Sequence, residues 1–310
     1  MADNKREEMR CLQWKLRRKG GKVKYQLITD ATADLAEDML RQVPNLKIIP
    51  MEVILNGTAR SYGPGGDLGV EEFYDALRAG GRASTSQINE FTYWEVFEEY
   101  LAQGMDVLYL CFSSGLSATW QNACACAEGL REKYPERTVR CVDTLSASIG
   151  QGLLVYEAAP RHQEGMGLEE LADWVESRRM DVAHWFTVDS LEHLKRGGRI
   201  NAATAAVGTV FHIKPLLRVD EEGKLVLSGK PRGSRQALEY KLNRMELDWD
   251  FSLGQTVVVG HGGSPQEAEE LKTIVEERFP WAHCHIAPIG PVIGSHTGPG
   301  MQALVFWGIR

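Results

Sequence analysis

The chain has no apolar run approaching the length of a membrane span, and no secretory signal with an apolar core. A cytoplasmic protein is therefore expected. Its six cysteines are Cys11, Cys111, Cys124, Cys126, Cys141 and Cys284, and no two form a CxxC pair. That speaks against a structural zinc site and against a disulfide framework. Also missing are a Walker A motif, a GxGxxG turn between strand and helix, a protein-kinase signature set and a G-x-S-x-G elbow. Each absence weighs against a class of nucleotide enzyme or serine hydrolase. No internal repeat is evident.

What is present is an ordinary globular composition. The 310 residues are 43% hydrophobic and 25% charged, enough for two domains with a sizeable core. Charge is unevenly placed. Residues 1–24 carry a net +6 and the remainder −13. The basic segment, 1–23, reads as a solvated extension without fixed structure, and the acidic body argues against a nucleic-acid-binding domain.

The most informative stretch is 107–121, VLYLCFSSGLSATWQ. The apolar run Val107–Phe112 predicts a strand buried on both faces of a parallel sheet. The small residues Ser113, Ser114, Gly115 and Ser117 follow, and helical composition begins at Ala118. A strand, a tight loop and a helix start gather backbone N–H groups at one point, which suits an anion. The serine hydroxyls could add neutral donors. Equally, a serine could simply cap the helix.

Taken in order, Lys24–Thr29 predicts a first strand, with Asp30 at its carboxyl end, where open α/β sheets place ligands. Lys47–Leu55 predicts a second strand, irregular at Pro50. The stretch 61–69 is a glycine-rich turn. A short helix over 70–79 precedes the hydroxyl pair Thr85-Ser86 and a helix with Trp94, Phe97 and Leu101 on one face. Strand 138–142 ends at the loop 143–148. Helix 168–179 leads to a half with strands at 183–188, 256–260, 284–288 and 303–307, a short helix in 191–200 and a hairpin turning at 220–223. This alternation predicts an α/β protein of two domains, 24–170 and 171–310. The first is a three-layer parallel-sheet domain and the second a smaller mixed-sheet sandwich.

His261 and His296 stand at glycine turns. His296, with Gly294, Gly298 and Gly300 around it, lies in a segment too glycine-dense for a regular buried element, from where it could approach a ligand closely. His283 and His285, with Cys284 between them, alternate along a strand but are too few to close a zinc site.

Seven stretches together resemble the DegV fatty-acid-binding family. They are ITDATADL (28–35), ASTSQ (83–87), FSSGLSATWQ (112–121), VDTLSASIGQG (142–152), DSLEHLKRGGRI (189–200), IKPLL (213–217) and GPVIGSHTGPG (290–300). They occur in the family's order and span about 24–308. The resemblance implies one long-chain fatty acid, of the palmitate, stearate or oleate class, in a tunnel between two α/β domains. No other cofactor is implied. It also implies a non-catalytic carrier in lipid transport or fatty acid metabolism, with a separate fatty acid kinase as partner. Apart from the resemblance, an apolar rim at the tunnel mouth would allow transient contact with a membrane surface. By motif position the headgroup would be held by Thr85, Ser86, Ser113, Ser114 and His296. Arg199 would serve a phosphate or the partner, and Asp30, Gly115 and Thr297 are secondary candidates. The chain departs from the family's usual pattern at Ala31, Ile88 and Ala118. Two alternatives use the same loops: a nucleotide- or phosphate-dependent enzyme (Ser113–Ser117 or Gly260–Ser264), and a hydrolase with Ser114, His296 and Asp30.

Overall fold

A computed structural model describes residues 25–201 and 213–310. The expected basic extension lies outside the described residues. The predicted first strand is β1, Tyr25–Asp30. It lies between β2 (Lys47–Ile49) and β6 (Asp106–Cys111), with β7 (Val139–Asp143) beyond, in a four-stranded parallel sheet of order β2-β1-β6-β7. Five of the six residues of β6 are buried, as a continuous apolar run requires when helices cover both faces. Helices Glu90–Leu101 and Thr119–Lys133 contribute to the core on one side. Helices Ile149–Gln163 and Leu168–Arg178 cover the other.

Pro50 does more than roughen a strand. It separates β2 from β3 (Met51–Leu55), which turns into a second sheet with β4 (Thr58–Tyr62) and β5 (Ala83–Thr85), order β4-β3-β5, all antiparallel. The proline has no N–H for a ladder bond, so the parallel pairing cannot continue through it. The helix after β5 buries Tyr93, Phe97 and Leu101, while Trp94 is half-buried. The buried stripe follows i, i+4, i+8 spacing and excludes the predicted Trp94.

The chain enters the remaining sheet at β8 (Val182–Thr187). β9 (Leu216–Val219) and β10 (Leu225–Gly229) form the predicted hairpin. β11 (Thr256–His261), β12 (His283–Pro288) and β13 (Gln302–Trp307) complete a six-stranded sheet, β10-β9-β8-β13-β11-β12. Only β11–β12 is parallel, so the sheet is mixed. Side chains alternate across a strand. On β8 and β13 this puts the registered pairs Val182/Trp307, His184/Val305 and Phe186/Ala303 on one face.

Helix Ile149–Gln163 lies between the two large sheets. Leu153 and Leu154 join the core of the six-stranded sheet, and Val155, Ala158 and Ala159 join that of the four-stranded one. Among the described residues no helix is long and apolar enough to cross a membrane.

Candidate ligand cavity between the sheets

A cavity opens where β8 and β13 face the ends of β1 and β6 and the start of helix Ile149–Gln163. It offers about 1040 Å³ of unoccupied space, part of it open to solvent. Apolar walls come from Phe186, Ala303 and Val305 on the six-stranded sheet, Met51 on β3, and Val292 and Ile293 beyond β12.

Besides Thr32, Ser148 and His184, its polar residues gather from four segments. Thr85 ends β5, and Ser86 and Gln87 follow it. Ser117 and Thr119 stand where the serine-rich loop becomes a helix. Arg199 comes from the Gly197-Gly198 turn, and His296 and Thr297 from near Gly298. Thus Thr85, Ser86, Arg199, His296 and Thr297 are brought together, whereas Asp30, Ser113, Ser114 and Gly115 are not among the residues lining the cavity.

His296 belongs to a regular element after all. Pro291–Thr297 is a short helix with Pro291 in its first turn, ended at Gly298 with φ 75°. Gly294 is there for packing, because a Cβ would stand 2.7 Å from the Phe73 ring and from the Tyr74 oxygen. His296 Nε2 lies 2.9 Å from Thr85 Oγ1. Nδ1 is buried without a partner among the described residues and lies against Gly197, where any side chain would overlap it. Burial, then Arg199 and Arg196, lower the His296 pKa to about 4. The ring is neutral at pH 7, with one nitrogen able to donate.

The other hydroxyls are differently engaged. Ser86 Oγ donates to Glu52 at 3.0 Å, and Thr297 Oγ1 donates to the Ile293 carbonyl at 3.2 Å. Ser117 and Thr119 hydroxyls share one bond of 2.8 Å, which leaves one of their two hydrogens for a ligand. Arg199 donates to the Leu116 and Gly197 carbonyls and so ties the second half of the chain to the serine-rich loop. Thr119, Gln87 and His184 were not singled out by sequence. Only His184 had a readable signal, since it alternates with Phe186 on β8.

The serine-rich loop itself receives the hairpin tip. Ser113 Oγ donates to the Gly223 carbonyl at 2.8 Å and accepts from Gly115 N–H at 3.2 Å. Ser114 N–H donates to Asp143 at 3.1 Å. A side chain on Gly223, whose φ is 73°, would overlap Ser113 Oγ, and one on Gly115 would overlap the Glu222 carbonyl. Gly223→Val should therefore lower the unfolding free energy by about 2–4 kcal/mol in urea titration. Adding Ser113→Ala should restore part of that loss, and no restoration would dismiss the overlap as its cause.

Asp30 has a structural part. Its carboxylate is fully buried and accepts from Thr32 N–H at 2.9 Å, from the Thr32 hydroxyl, and from Tyr109 OH at 2.5 Å. No hydrogen bond joins Asp30, Ser114 and His296, so the hydrolase triad is not assembled. At Gly260–Ser264 the loop is stitched to the following turn, Gly262 N–H donating to Met301 O and Gly300 N–H to Gly262 O. His261 is buried at the end of β11 and does not line the cavity. His285 pairs with Asp38 at 2.6 Å. Among the described residues no group of three or more His, Cys, Asp or Glu side chains could hold a metal ion.

Known proteins resemble the chain along nearly its whole length. A DegV domain-containing protein of Clostridium perfringens is 39% identical over 285 residues, which cover 92% of this chain and 98% of that one. A DegV family protein of Thermus thermophilus, described as fatty acid binding, superimposes with a TM-score of 0.80 at 30% identity, covering 92% and 100% of the two chains. A fatty acid binding DegV family protein of Streptococcus agalactiae gives 0.78 at 27%, covering 93% and 99%. The family's own model matches residues 24–308, and by that match and these relatives the chain belongs to the DegV family.

Proposed function

We propose that the cavity holds the acyl chain of one long-chain fatty acid, with the carboxylate at the Thr85–His296 pair. The observation that carries this reading is the combination of a mainly apolar cavity with a few hydroxyl and imidazole groups converging on it. Fifteen carbons beyond the carboxylate, at about 0.8 kcal/mol each, give roughly 12 kcal/mol of gross burial energy. Association costs remove several kcal/mol of that. The polar groups then have one task, to keep the buried carboxylate from being unpaired.

The geometry suggests how. With its proton on Nε2, His296 donates to Thr85 Oγ1, and the Thr85 hydroxyl hydrogen is left for an acid oxygen. His296 then acts through Thr85, and Ser117 or Thr119 supplies a second donor. The sequence pattern had pointed to Ser113 and Ser114 for that place. Their surroundings favour a joint between the two sheets instead.

In this reading the protein is a non-catalytic carrier divided into two domains near residues 170–180. It offers the acid to a separate fatty acid kinase, with Arg199 close to the carboxylate, and touches membranes transiently. Native mass spectrometry of the purified protein, followed by solvent extraction, tests the central claim. One fatty acid per chain is the expected result. Protein that is lipid-free and also declines added palmitate and oleate would refute it.

A further inference from the structure

The cavity has a second polar station, and it differs in kind from the Thr85–His296 pair. His184 lines the cavity from β8 yet is only 4% exposed. Burial, then Arg310, lower its pKa to about 3, so the ring is neutral. Nδ1 lies 2.9 Å from the Val182 carbonyl, which fixes the single ring hydrogen there. Nε2 is left with a lone pair, buried and without a partner among the described residues. The ring is held on both sides, since its Nε2 edge passes Gly150, where any side chain would overlap it.

Two cavity-lining hydroxyls stand close by. Ser148, two residues from Gly150, donates its hydrogen to Asp34 at 2.6 Å, and Thr32 directs its own at Asp30 and Gln151. This part of the cavity therefore offers lone pairs, whereas Thr85 offers a hydrogen. The two stations ask for opposite partners. A saturated chain would leave Nε2 buried and unpaired. A ketone or a second carboxylate, which can only accept, would set lone pairs against lone pairs. A hydroxyl on the chain brings the hydrogen that Nε2 lacks.

The register gives its place. Met301, just past the Gly298 turn that closes the His296 helix, lines the cavity, as do Ala303 and Val305. Val305 is the registered partner of His184 and lies four residues beyond Met301, about 13 Å of strand. An extended chain covers that length in roughly ten carbons. We infer that the cavity selects long-chain acids bearing a hydroxyl near mid-chain, with His184 Nε2 accepting its hydrogen. The inference rests on the fatty acid reading above and adds the class of acid to it.

Native mass spectrometry of the full chain given equal amounts of stearate and 12-hydroxystearate tests it, because the two complexes differ in mass by one oxygen. The wild type is expected to favour the hydroxy acid about 10-fold. His184→Phe keeps a ring and removes the acceptor, while the Val182 carbonyl retains Arg310 as a donor, and should turn the preference toward stearate. His184→Gln, whose amide oxygen can take the place of Nε2, should keep part of the wild-type preference. With 2-hydroxystearate, whose hydroxyl sits beside the carboxyl, the ratio to stearate should be the same in the wild type and His184→Phe. A wild type that takes both acids equally overturns the inference and leaves the fatty acid reading standing, as does a preference that survives His184→Phe. A wild type that takes up neither acid overturns both.

Discussion

Thr85→Val is expected to weaken fatty acid binding by about 30- to 150-fold, corresponding to roughly 2–3 kcal/mol for the loss of a donor to a buried charge. Valine keeps the shape of threonine, so the apolar walls are preserved and only the hydroxyl goes. His296 Nε2, 2.9 Å away, then loses its acceptor as well. Thr85→Ser should retain nearly full affinity. The methyl ester of the same acid, which brings no charge, should bind the wild type and Thr85→Val about equally. Displacement of a fluorescent fatty acid measures all of these. If Thr85→Val bound the free acid as the wild type does, the carboxylate would have to sit elsewhere in the cavity. Since His296 is neutral above about pH 4, the wild-type affinity should not change through titration of that ring between pH 5.5 and 8.

Asp34→Asn should stabilise the protein at pH 8 by about 2–4 kcal/mol and do little near pH 4. Asp34 sits at φ 42° just after β1 and is buried where both large sheets meet. Its Oδ2 accepts from the Ser148 hydroxyl at 2.6 Å, and Oδ1 from Gly290 N–H at 2.9 Å at the head of the helix that carries His296. Burial pushes its carboxyl up to about 7. Those two bonds work in the opposite sense, and the neighbouring Asp30 adds to the rise. The folded protein therefore retains a proton between about pH 4 and pH 7 that the unfolded chain has released. Stability contributed by the neutral acid is present below pH 4, declines as pH rises toward 7, and is flat above. Asparagine keeps an acceptor for Gly290 and gains a donor for Ser148 Oγ, without a charge to bury. Two variants of equal slope in chemical denaturation across pH 4–8 would exclude Asp34 as the titrating group. His184 and His296, lowered to about 3 and about 4 mainly by burial, act in the opposite direction, but equally in both proteins.

Much of the fold was legible where one residue pattern had one meaning. The run at β6 could only be a strand covered on both faces, and Asp220–Gly223 could hardly be anything but a hairpin turn. The three-stranded sheet was not legible. β5 has only three residues, too few to establish a period, and the effect of Pro50 depends on which sheet lies beyond it. The helix around His296 was hidden for a related reason. Gly294 lowers helical propensity locally, and the compensation comes from Phe73 and Tyr74, more than 200 positions earlier. Residues from the stretches 83–87, 189–200 and 290–300 line the cavity, yet motif order could not say which hydroxyls face it. Ser113 is taken by a carbonyl 110 residues further along the chain, a fact of tertiary structure alone.

The docked hairpin also bears on where the chain can be cut or extended. Exposed turns are ordinarily the safest places for insertions, tags and proteolytic nicks. Glu221 and Glu222 look like such a place, since both are exposed at the tip. Beneath them, however, the Gly223 carbonyl holds Ser113, and the Glu222 carbonyl lies against Gly115. An insertion at this turn would wedge the two sheets apart where the hairpin meets the serine-rich loop, whereas the Gly57 and Gly65 turns, with open space around them, should accept one without loss.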